Sequence, residues 1–81
     1  MSDFSLALAL QLRLHREHAQ MSQQQLAESM NVHRNTIFKW ERGEGQMPTI
    51  AFLRFCVVVK ADAGEVLKRI LIDKQNLKGV S

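Results

Sequence analysis

Residues 34–42 read RNTIFKWER, a stretch that sets three cations, an amide and two aromatic rings on a segment short enough to be one helix. At about 100° per residue, Ile37 and Trp40 fall on one side, with Thr36 and Glu41 flanking them. Asn35, Phe38 and Arg42 point the opposite way, and Arg34 and Lys39 lie at the edges of that outer arc. Arginine binds guanine through two parallel hydrogen bonds, asparagine does the same with adenine, and an apolar group meets the thymine methyl. The arc therefore holds an inventory for reading base edges in a DNA major groove. The plain alternative is a solvated charged face, which is what most such arcs are.

Other chemistries fit less well. His15 and His18 stand three apart, as two metal ligands on a helix would, but no third ligand is near them in the sequence. GEGQMP has two glycines and lacks the Gly-Lys-Ser/Thr of a phosphate-binding loop. The single Cys56 sits in the apolar run FCVVV, where a lone thiol is a small buried hydrophobe. No nucleophile–base set stands out, and 81 residues leave little room for a substrate cavity. Neither enzyme activity nor a cofactor or metal is expected.

The elements that must hold the outer arc can be read from residue types. Leucines at 6, 8, 10, 12 and 14 alternate as in a strand. Yet no β-branched residue occurs from 4 to 31, and Leu, Ala, Gln and Arg are strong helix formers. A first helix is predicted from Ser5, as its N-cap, to Ala19. Wound up, it carries Leu8, Leu12 and Ala19 on one stripe and Leu6, Leu10 and Leu14 on another. The second stripe needs a cover of its own, either a subunit or the carboxy-terminal helix. Ser22 and Gln25 form a capping box, which starts a second helix with Leu26, Ala27 and Met30 inward. Asn31 suits a left-handed helix exit. A third helix is predicted over 33–42, closed by Gly43.

Pro48 suits the first position of a fourth helix, covering about 48–60. Its residues IAFLRFCVVVK are apolar on nearly every side, which implies deep burial, a subunit interface or both. Asp62 and Glu65 form another capping box. The last helix carries Val66, Leu67, Ile70 and Leu71 on one stripe, and residues 74–81 read as a tail. The expectation is one all-α domain over 1–81, built of five short helices.

Composition agrees. Apolar content is 46%, which excludes disorder, while a net charge of +3 is permissive for nucleic acid and not diagnostic of it. FSLALALQL superficially suggests a secretory core. Asp3 precedes it without Lys or Arg, and Arg13 and Arg16 follow without a cleavage site. No apolar run approaches the roughly 20 residues of a membrane span. Together with the absence of a disulfide framework, this leads us to expect a soluble cytoplasmic protein.

Two short helices joined by a tight turn, packed through Leu26, Ala27, Met30, Val32, Ile37 and Trp40, have the spacing of a helix-turn-helix. SQQQLAESMNVHRNTIFKWERG (22–43) resembles the corresponding unit of the lambda-repressor and Cro family of regulators. The similarity runs from about Leu12 to Leu67. The Ser-Gln opening, the Leu-Ala pair and Trp-Glu-Arg-Gly carry it together. The resemblance implies a five-helix lambda-repressor-like domain that binds a roughly palindromic operator as a dimer. It assigns base reading to Arg34, Asn35 and Lys39, with Phe38 and Thr36 as secondary contacts. It assigns phosphate binding to Gln23, beside Ser22 at a helix start whose N–H groups suit an anion. Glu41 matches an acid that pairs with an arginine of the first helix, here Arg16, and Trp40 anchors the same helix inward.

This sequence departs from the pattern in four places. Asn31 replaces a turn glycine. His33 replaces a small hydroxyl cap, and is either a mediocre exposed cap or a phosphate contact that strengthens as the imidazole charges. Glu44 stands where basic residues are common, which leaves Arg42, Gln46 and Thr49 for phosphate there. Lys60 falls where leucine is usual and implies a solvent-facing end of helix four. The implied function is a homodimeric repressor of phage, plasmid or restriction-modification controller type, nucleoid-associated in the cytoplasm. The rival is an antitoxin or other protein-interaction module on the same fold. RNA binding lacks the exposed aromatics for base stacking.

Overall fold

The leucine alternation of residues 6–14 resolves as a helix, as the side-chain types require. The computed structural model describes the backbone of residues 3–79 and the side chains of residues 4–72. Five helices follow one another: α1 Asp3–His18, α2 Gln23–Met30, α3 Arg34–Glu41, α4 Thr49–Val59 and α5 Ala63–Gly79. No strand occurs among the described residues. The all-α, five-helix expectation holds.

Boundaries differ at several helix ends, α3 among them, which spans Arg34–Glu41 rather than 33–42. α1 begins at Asp3, so Ser5 lies inside it rather than capping it. Pro48 is the N-cap of α4, and Thr49 takes the first helical position. Helical backbone continues to Gly79, so residues 74–79, expected as a tail, extend α5. That stretch holds Lys, Gln, Asn and Leu, with no breaker before Gly79. Val80 and Ser81, the end of the expected tail, lie outside the described residues.

Helix ends explain how so short a chain turns so often. α1, α2 and α4 each close on a residue other than glycine in the left-handed region: Gln20 (φ 59°), Asn31 (φ 57°) and Lys60 (φ 59°). Past each one, an N–H reaches back five residues. Met21 donates to the Arg16 carbonyl at 3.2 Å, Val32 to Ala27 at 3.0 Å and Ala61 to Cys56 at 2.8 Å. α3 ends the same way on Gly43 (φ 75°), with Glu44 donating to Lys39 at 2.9 Å. This closing motif satisfies carbonyls that a helix end would otherwise leave open.

The core gathers Leu12, Leu26, Ala27, Met30, Ile37, Phe55, Cys56, Val66 and Ile70, with Val32 and Trp40 packed against it. α5 packs along α1, and α2 rests against α3 and α4. The first leucine stripe of α1 faces this core, but the second does not. Leu6, Leu10 and Leu14 stay 43%, 50% and 49% exposed. Leu67 and Leu71, expected on the inner stripe of α5, are also exposed, while Val66 and Ile70 turn inward. α4 is buried on one side through Phe52, Phe55 and Cys56, while Ile50 and Val57 lie open to solvent.

Candidate nucleic-acid interface

The sequence positions α3 through two devices, a cap that aims α2 and an ion pair that ties α3 to α1. Ser22 Oγ accepts from the Gln25 N–H at 3.0 Å, and Gln25 Oε1 accepts from the Ser22 N–H at 2.8 Å. The capping box is complete, and α2 starts where it was expected. The Ser22 oxygen is thereby engaged, while its O–H and the first N–H groups of α2 keep no intrahelical acceptor.

Arg16 and Glu41 form the second device. Arg16 Nε donates to Glu41 Oε2 at 2.6 Å and Nη2 to Oε1 at 2.9 Å, a two-pronged pairing. The third guanidinium nitrogen, Nη1, donates to the Met21 carbonyl at 2.9 Å. The two side chains are 12% and 5% exposed. Hydrogen bonding to Glu41 pushes the Arg16 guanidinium further up from its usual range, against the opposing effect of burial. Gln23 Nε2 also donates to Glu41 Oε1, at 3.2 Å. One carboxylate near the end of α3 thus receives donors from both α1 and α2. Gln23, expected to meet phosphate, holds Glu41 with its amide nitrogen and is half-buried.

With α3 fixed in this way, its sides are those expected from the helical turn angle. Ile37 is buried and Trp40 half-buried against the core. Arg34, Asn35, Phe38 and Lys39 are exposed, and Thr36 is half-buried at the margin. Arg34, Asn35 and Phe38 line one shallow depression together with His33. His33 is the N-cap of α3, is exposed and makes no side-chain capping bond. At the far end, the Arg42 guanidinium lies over the Phe38 ring, 5.3 Å from its centroid, and pairs with Glu44 at 2.8 Å. Gln46 and Thr49 are exposed beyond the turn.

A second depression is lined by Arg13, Gln23, Phe38 and Arg42, with the Arg16–Glu41 pair in its wall. It brings Arg13 into the candidate surface, a residue the sequence reading did not select. Arg13 is exposed and loosely paired with Glu17 at 3.3 Å. Its place three residues before Arg16, about one helical turn, is the sequence signal that points to it.

Elsewhere, chemistry is sparse. Cys56 is buried, and burial, followed by the charge of Asp62, pushes its thiol up and away from reactive thiolate. Among the described residues, no three His, Cys, Asp or Glu side chains converge as a metal site would need, and no helix is long and apolar enough to cross a membrane.

Comparison with known proteins agrees with this geometry. Residues 7–68 match the family of helix-turn-helix domains. Among solved structures, the chain is similar to the clp gene regulator ClgR from Corynebacterium glutamicum. That alignment has 21% identity over 94% of this chain and 81% of the other, with a TM-score of 0.87. A second crystal structure of the regulator aligns at 22% identity over 88% of this chain and 91% of the other, with a TM-score of 0.81. No curated protein matches the sequence. Identities this low establish a shared fold, and the family rests on the sequence match together with the α2-turn-α3 unit. The chain belongs to the helix-turn-helix domain family, a DNA-binding architecture.

Proposed function

We propose that this protein is a sequence-specific regulator of transcription that binds duplex DNA as a homodimer and represses by occupying promoter DNA. The observation that carries this reading is the exposed row Arg34, Asn35 and Lys39 on a helix held from behind by the Arg16–Glu41 pair. Arg34, Asn35 and Lys39 read base edges, with Phe38 and Thr36 beside them. Ser22, Gln23, His33, Arg42, Gln46 and Thr49 meet phosphates. Phosphate contacts supply most of the affinity, and base contacts supply the sequence choice. No effector pocket is needed, so control by concentration, including binding to its own promoter, is the simplest regulation for a repressor of phage, plasmid or restriction-modification controller type. Such a protein works in the cytoplasm, at the nucleoid.

Selection of bound sites from random duplex DNA tests the reading. The expected result is a roughly palindromic consensus with half-sites one helical turn apart, about 34 Å. Failure to enrich any sequence overturns it. The exposed Leu6, Leu10 and Leu14 favour a second reading, a protein-interaction module such as an antitoxin. Native mass without DNA separates the two: a homodimer supports the repressor, and a monomer that never pairs with itself supports the module.

A further inference from the structure

The outer arc of α3 ends in a contact that opposes its own use. Arg42 Nε lies 2.8 Å from Glu44 Oε2, and both side chains are substantially exposed, at 60% and 46%. Burial does not force them together. Glu44 is carried on a defined turn, because its N–H donates to the Lys39 carbonyl across Gly43 at φ 75°. The Arg42 guanidinium also lies over the Phe38 ring, 5.3 Å from its centroid. A carboxylate and a phosphodiester are anions that a guanidinium grips with the same donor fork. Arg42 also borders the depression lined by Arg13, Arg16 and Gln23, with Glu17 and Glu41 in its wall.

We infer that Glu44 is an internal competitor for phosphate at Arg42, and that it sets how tightly the domain holds the DNA backbone without altering which sequence it prefers. The inference rests on the reading of α3 as a duplex-reading helix. Docking Arg42 on the backbone exchanges one anion for another. The exchange releases a counterion from DNA but leaves the Glu44 carboxylate to recruit a cation of its own. The net salt dependence is therefore shallower than a free arginine would give. Backbone contacts carry no base information, so operator and random DNA are affected alike.

The test is fluorescence anisotropy with a labelled duplex from the selected pool and a random duplex, over a range of salt, for wild type, Glu44→Gln, Arg42→Gln and the double variant. An exposed pair contributes little, so Glu44→Gln is expected to tighten both duplexes about two- to fivefold per subunit. It should also steepen the plot of log affinity against log salt by up to about 0.9 per subunit. In the Arg42→Gln background the gain should shrink to less than half, because only direct repulsion between Glu44 and DNA remains. An equal gain with and without Arg42 overturns the inference, as does a gain confined to the selected duplex. A wild-type protein that retains no duplex at all overturns the underlying reading instead, and is recognised before any variant is compared.

Discussion

Arg34 and Lys39 carry their charge in open solvent, whereas Arg16 carries it nearly out of water, and the two kinds of cation answer to different measurements. Arg34→Ala should weaken binding to the selected site by about 1–3 kcal/mol and relax preference at one position, read by competition titration. Equal losses on random DNA would move Arg34 to the backbone. Gln23→Ala should weaken all sequences alike, and a loss confined to the selected site would contradict a phosphate role. Glu41→Ala belongs to folding instead. It strands the Arg16 guanidinium with the Met21 carbonyl alone among these partners, and should cost about 3 kcal/mol, the lower end of what breaking a buried pair costs. A urea midpoint unchanged by the substitution would show that the pair is inert. Replacing both partners with apolar residues of similar volume should recover most of the loss, since the guanidinium and carboxylate no longer need solvation.

At the scale of the element, the caps decide what the chain tolerates. Lys60 holds a left-handed φ of 59° at the end of α4, a conformation that glycine adopts without a Cβ penalty. Lys60→Gly should therefore stabilise the fold by roughly 0.5–1 kcal/mol. His33→Ser, which supplies the missing capping oxygen, should add about 0.5–1 kcal/mol. Thermal melting checks both, and a lower midpoint in either variant would contradict the cap assignment. These positions also show what the sequence made legible. The capping box at Ser22 and Gln25 and the Asn31 exit were readable because each depends on one or two residue types at fixed spacing. Gln20 and Lys60 were not, since neither residue type favours positive φ, and only the packing of the following helix imposes it. The outer arc of α3 followed from the helical turn angle alone. Arg13 joins that surface because it lies one turn before Arg16 on α1, a spacing that becomes informative only once Arg16 is known to face α3. The second leucine stripe was legible as a problem and not as an answer, because its cover depends on where α5 lies.

For the whole molecule, the groove between α1 and α5 gives stability a pH dependence. His15 lines it with His18, Asp62, Glu65 and Arg69. Burial, and then the neighbouring His18, lowers the pKa of His15 below its usual 6.5. The unfolded chain then binds a proton that the folded chain resists, so stability is complete above about pH 6.5 and declines as pH falls through the lowered value. Urea midpoints measured from pH 7.5 down to 5.5 should fall, and His15→Gln should flatten the decline; an equally steep decline in the variant would acquit His15. A different consequence follows from Glu41. Three hydrogen bonds from two other helices converge on that one carboxylate, and they restrain α3 from swivelling when it meets a groove of the wrong width. In the proposed complex, accommodation passes to the nucleic acid, whose stiffness varies from one base step to the next. Preference should then emerge even at central base pairs that no side chain reaches, written by the mechanics of the duplex rather than by contact.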